Sequence, residues 1–438
     1  MTLKDHRGLA VTGASPFALE RFESALALFN RFGVDPVAEL DAALADSPGF
    51  VMAHALRAYL HLMGTDPIGP SAVRHNLEAA RAAGGNAREA AHILAMEAMI
   101  DGRWRNAARI LEDVAITWPL DMVAIRAGHF VDYLLGDSRM LRDRIGRALP
   151  VWSHAVPGWH AMLAMHAFGL EETGDYARAE TQGRKALALE PRDGWARHAV
   201  AHVMEMQGRS EEGVAFMTGD LAAWSENNML AVHNWWHLAL YHLELGDVAE
   251  ALRLFDGPIY GVRSPLAFDM VDAAALLWRL KLLGVDVGDR WSAVAETWAP
   301  CQPDNAYAFN DMHAMMAFAS AGRKDDVRLV RSVQSSARDS LGDNREFLTQ
   351  GGQAATEAMA AFVDGDYRRV ITLLRPMRHH AYRFGGSHAQ RDVIDLTLLE
   401  AALRAGDRDL ALALSAERAD AKPHGSALLL ADRVRRAA

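Results

Sequence analysis

A series of glycines sets the rhythm of this chain. Gly33, Gly64, Gly102, Gly136, Gly174, Gly208, Gly246, Gly284, Gly322, Gly365 and Gly406 each follow an apolar run, and from Gly64 onward the spacings are 38, 34, 38, 34, 38, 38, 38, 43 and 41. A glycine about every 34 residues, or one helical turn more, is the period of a helix–turn–helix repeat. Glycine suits these places because the residue after a helix often needs a left-handed backbone. The neighbouring residues agree with that reading. With Gly174 as the reference, Ala167, Tyr176, Ala179, Ala186 and Pro191 occupy the positions where a tetratricopeptide-type hairpin wants small, aromatic, small, small and helix-stopping residues. Gly102 brings Ala95, Trp104, Ala107, Leu111 and Pro119 into the same register. Gly246 brings Ala239, Ala251 and Phe255, and Gly365 brings Ala358, Tyr367 and Leu374. The expected fold is all-α, a tetratricopeptide-like α-solenoid of roughly ten or eleven helical hairpins.

Alanine and leucine dominate the composition, strand signals are scarce, and no Ser/Gly/Pro-rich linker divides the chain. One continuous solenoid over residues 1–438 is therefore expected: N-terminal repeats in 1–190, central repeats with a His/Trp-rich inner wall in 191–330, and C-terminal repeats with a capping helix in 331–438. The irregular pieces fall at 1–16, 64–71, 256–266, 298–306 and 376–387. A net charge of −10, with no block of Lys or Arg, disfavours nucleic acid, which needs a basic footprint. The single cysteine, Cys301, excludes an intrachain disulfide framework and fits a reducing compartment. No signal-like segment or membrane-length apolar run is present, so a cytoplasmic protein with no membrane partner is expected.

The chain has 19 histidines and 11 tryptophans, and the register gathers many of them. In a tetratricopeptide-like stack the first helix of each hairpin lines the concave side. Counting back from Gly208 places Trp195, His198, His202 and Glu205 there. Gly246 places His233 and Trp236 there, with Asn234 and His237 beside them, and Gly322 follows a helix carrying Asn310, Asp311 and His313. Counting from Gly64 and Gly102 adds His54 and His92. Such a lining would suit a small molecule. The competing reading is that each imidazole packs between helices and bonds to a neighbour.

Three kinds of chemistry fit these residues. His198, His202, His233, His237, Asp311 and His313 are candidate acid–base groups, since imidazole beside a carboxylate transfers protons near neutral pH. His198, His202 and Glu205, with the i, i+4 pair His233 and His237, are the candidate ligands for a transition metal, although no cofactor is expected and HExxH is absent. Trp195, Glu205, Asn234, Trp236, Asn310, Gln390 and Arg391 are candidate binding residues. Ser387 followed by Gln390 forms a capping box, and the preceding Gly385-Gly386 with Arg391 resembles an anion-binding turn without the Lys-Ser/Thr ending of a P-loop. A nucleophilic Cys301 would need a nearby base and an activating environment, and a single cysteine in a loop is more often incidental.

Several segments resemble the tetratricopeptide repeat protein 38 family: HAVAHVMEMQGRSEEGV (198–214), HNWWHLALYHLELGDVAEAL (233–252), DAAALLWRLKLLGVDVGDRW (272–291), FNDMHAMMA (309–317) and GGSHAQRDV (385–393). The resemblance implies a soluble tetratricopeptide-like protein and brings no catalytic assignment. Two functions remain in view. One is an inner polar pocket that binds, or binds and converts, a small molecule. The alternative is a scaffold whose groove holds a peptide or partner protein. The near-absence of Lys from the counted positions argues against a clamp for acidic peptide tails.

Overall fold

The computed structural model describes residues 3–66, 69–301, 307–337, 342–423 and 425–437. The fold is all-α, of the tetratricopeptide-like α-solenoid class, with no strand among the described residues and only two isolated bridges, Lys4 with Ala10 and Gly33 with Asn228. Within the expected irregular stretch 298–306, residues 302–306 lie outside the described residues.

The glycine rhythm has a direct structural meaning. The nine glycines from Gly102 to Gly406 in the series take φ between 66° and 83°. Gly246 shows the device in full. Its N–H donates to the Leu243 carbonyl at 3.0 Å, and the Asp247 N–H donates to the His242 carbonyl at 2.8 Å, closing the helix end. Space for a Cβ is open at Gly246, so backbone conformation alone demands glycine. The Asp247 carboxylate then accepts the Glu250 N–H and starts the next helix. Asp137, Asp175, Asp366 and Asp407 follow their glycines and cap in the same way. Two glycines depart from the rule. Gly64 stays right-handed and Thr65 takes φ 56°, while at Gly33 the left-handed residue is Phe32, with φ 59°.

First and second helices of the hairpins bury themselves differently. In the second helix Tyr367–Met377 only Val370, Leu374 and Met377 are buried, one stripe on a polar helix. The first helix Trp159–Glu171 is buried continuously from Ala161 onward. Ala267–Leu282 is likewise buried on nearly all sides, including Asp269, Asp272 and Arg279. A first helix is packed between neighbours, so polar residues placed on it lie inside the protein.

The chain divides into two compact units: Met1–Val200 with Leu221–Ala231 and Leu341–Asp343, and Ala201–Asp220 with Val232–Ser340 and Asn344–Ala438. The division falls within helix Gly194–Met206. In the first unit, hairpins such as Ala87–Ile100 with Trp104–Thr117 stack in sequence order. In the second unit Ala267–Leu282 also packs directly on His388–Arg404, far along the chain. There the Trp278 indole N–H donates to Thr397 Oγ1 at 2.8 Å. The C-terminal helix Gly425–Ala437 packs on Arg408–Ala421, with Val434 fully buried. No helix among the described residues is long and apolar enough to cross a membrane.

Candidate functional site

The residues that could do chemistry converge in the second unit. Helix Ala231–Glu244 carries His233 and His237 on one face, four residues apart. His202 and Glu205 come from the end of Gly194–Met206, and Asp272 from Ala267–Leu282. The His202 and His237 rings stand 4.5 Å apart, and those of His233 and His237 4.9 Å apart. The ligand atoms of His202, His233 and His237 all lie within 4.8 Å of one another. All three side chains are buried.

Carboxylates hold two of these rings from behind. His233 Nδ1 is 2.8 Å from Asp272 Oδ2, and His237 Nδ1 is 2.9 Å from Glu205 Oε2. An ionised carboxylate only accepts, so Nδ1–H is the donor in each pair. Burial, followed by the neighbouring His202 and His233, holds His237 well below its ordinary pKa and keeps it neutral. Burial pushes the Asp272 carboxyl up, against the opposing pull of His233.

Beside this cluster lies a cavity of about 430 Å³ lined by Glu205, Arg279 and a largely apolar wall that includes Leu240, Leu243, Leu282 and Leu399. Glu205 therefore belongs to both places, facing the cavity while holding His237. Four cations line the cavity, and two of them are neutralised. Arg418 grips Asp392 through two bonds of 2.6 and 2.9 Å, and Arg433 reaches Glu400 at 3.1 Å. Burial raises the Asp392 carboxyl, but Arg418 and Lys422 more than offset this and hold it below the usual carboxylate range.

Of the four, Arg279 is the most deeply buried. Its guanidinium donates to the carbonyls of Ala389 at 2.6 Å and Ala275 at 3.1 Å, and lies 5.2 Å from the Trp236 ring centre. No carboxylate among the described residues comes within ion-pair distance of it, although it is only 7% exposed. Burial lowers its pKa. A buried cation without an ion-pair partner is costly and normally sits opposite something negative.

Trp195 and His198 lie in the first unit, in an aromatic core where Trp195 stacks on Phe32 at 5.4 Å and His198 sits 5.2 Å from Phe168. Also in the first unit, His54 and His92 are satisfied by neighbours: His54 by Asn76 and the Pro48 carbonyl, His92 by Asp121 and Tyr59. In the second unit Asn234 is fully buried, Asn310 is half-buried, and Asp311 accepts from Gln334 Nε2 at 3.0 Å. His313 donates from Nδ1 to the Phe309 carbonyl at 2.8 Å, and burial lowers its pKa to about 4. Ser387 and Gln390 form the expected capping box, with Arg391 donating to the Gly386 carbonyl. The Cys301 thiol lies 3.8 Å from the carbonyls of both Pro265 and Thr297.

Arg279 and Asp272 were absent from the residues singled out in the sequence. Their signal was a charge inside an otherwise apolar run, as in Leu276-Leu277-Trp278-Arg279-Leu280. A buried first helix tolerates such a charge only where its neighbours hold it.

No family model matches the chain. Solved structures resembling it include the human IFIT1 dimer with PPP-AAAA, at 14% identity and a TM-score of 0.43 over 94% of each chain. The human IFIT1 dimer with m7Gppp-AAAA has the same identity and TM-score, over 95% of this chain and 94% of that one. A likeness of this degree has no bearing on ligand or activity.

Proposed function

We propose that the second unit binds a small apolar monocarboxylic acid in the cavity beside Arg279. The observation that carries this reading is a buried guanidinium without an ion-pair partner among the described residues, set in a leucine-lined cavity of about 430 Å³. That volume is within the range of small-molecule sites, which combine an apolar wall with a few placed polar groups. A guanidinium is the natural partner of a carboxylate, which it can grip through two parallel bonds. Glu205, Glu244, Asp392 and Glu400 also line the cavity. Those four carboxylates disfavour a dianion such as a phosphate monoester and leave a singly charged acid as the better match.

Calorimetric titration with straight-chain carboxylates of increasing length, beside the alcohols of equal length, tests the proposal. Affinity should rise with each buried methylene, by about 0.8 kcal/mol, and the alcohols should bind at least tenfold more weakly than the acids. Equal binding of acid and alcohol, or no saturable binding of either, refutes it. If a protein partner were captured while the acids failed, the scaffold reading would replace it.

A further inference from the structure

We propose that His202, His233 and His237 form the binding site for one divalent transition-metal ion of the zinc class. The inference needs nothing bound in the cavity and stands apart from the carboxylate reading. Three imidazoles from two helices bring one ligand atom each to within 4.8 Å of the others. Tetrahedral coordination, with Zn–N of about 2.0–2.1 Å, places ligand nitrogens ~3.3 Å apart. The rings then need to draw in by at most about 1.5 Å, which side-chain rotation supplies. Imidazole nitrogen selects zinc, copper, nickel or iron over the oxygen-seeking calcium and magnesium.

The arrangement behind the rings is the second observation. Metal-bound histidines almost always donate their other ring N–H to a carboxylate, a carbonyl or water, which fixes the tautomer and raises ligand basicity. His233 does so to Asp272 at 2.8 Å and His237 to Glu205 at 2.9 Å. These two aspartate and glutamate partners are themselves buried or nearly so, with side chains 0% and 9% exposed.

The test uses the full chain, free of any polyhistidine tag and stripped with a chelator, then titrated with Co2+ and competed with Zn2+. One equivalent of Co2+ should bind, with visible d–d bands and no sulfur-to-metal charge transfer, and Zn2+ should displace it. Thermal stability should rise with Zn2+. His233→Gln and His237→Gln should each weaken binding at least a hundredfold. Asp272→Asn and Glu205→Gln should weaken it about 10- to 100-fold through the rings they orient. If the histidine variants fail to fold, the wild-type stoichiometry and spectrum still decide. Less than one-tenth equivalent of Co2+ or Zn2+ bound by the folded wild type overturns the proposal. So does binding undiminished in the folded His233→Gln or His237→Gln variants, which would place the ion elsewhere among the 19 histidines.

Discussion

Replacing Arg279 with methionine separates a binding role from a structural one. The change removes two charge-assisted hydrogen bonds, at 2.6 and 3.1 Å, and the stacking on Trp236. Together these contribute about 4–6 kcal/mol in gross terms. Both carbonyls lie inside helices, where Ala275 and Ala389 also accept the N–H four residues on, so neither is orphaned. The substitution also removes the desolvation of a buried cation that lacks a carboxylate partner, an effect of several kcal/mol in the opposite direction. The ligand-free protein should therefore change in stability by no more than about 2 kcal/mol, measured by urea unfolding. Carboxylate affinity should meanwhile fall by roughly a hundred- to a thousandfold, the loss of a bidentate charged pair worth ~3–4 kcal/mol. Calorimetric titration of R279M with a fatty acid and its alcohol reads the affinity, and urea unfolding of the ligand-free variant reads the stability. Unchanged acid affinity refutes the reasoning. A loss of stability above about 4 kcal/mol refutes it equally, because Arg279 would then be holding helices together rather than waiting for an anion.

Three further outcomes are expected. Gly213→Ala should destabilise by about 1–3 kcal/mol in thermal or chemical unfolding, because its Cβ would lie 2.5–2.7 Å from the Tyr241 ring, which is fully buried and tied to the Ala201 carbonyl. Arg418→Ala should cost about 1–3 kcal/mol by leaving the half-buried Asp392 without its bidentate partner. That loss should shrink as pH falls toward the carboxylate range and Asp392 takes up a proton. His313, with its pKa lowered to about 4, refuses a proton that the unfolded chain accepts below about 6.5. Its contribution is fully present above that value and is lost as pH falls toward 4, so His313→Gln should flatten the pH dependence of urea midpoints in that window. A slope identical in the two proteins would show that His313 titrates normally.

The hairpin repeat was legible because it is local chemistry. Gly246 needs a left-handed backbone, Asp247 caps the helix after it, and Ala239 and Ala251 are small where helices touch. Each of those requirements acts within a few residues and leaves its mark in the sequence. The convergence of His202, His233 and His237 was half legible, since the register put the three on first helices but could not say which way each ring turns. Asp272 and Glu205 settle that, and their pairing spans 39 and 32 residues. Arg279 was harder still. Its surroundings come from the contact of Ala267–Leu282 with His388–Arg404, and no repeat rule announces a contact between hairpins that are not neighbours.

The bond from Trp278 to Thr397 joins residues 119 apart in the chain. In an array where each hairpin touches only the next, either end can fray while the remainder persists. Here the last hairpins brace a helix in the middle of the second unit, so loss of one removes support from the other. The second unit should therefore melt in a single transition, and a chain cut before His388 should lose the order of Ala267–Leu282 along with the missing helices. Closing a loop of that length also delays the reward of native contact until most of the unit has been made, which slows folding relative to an open stack.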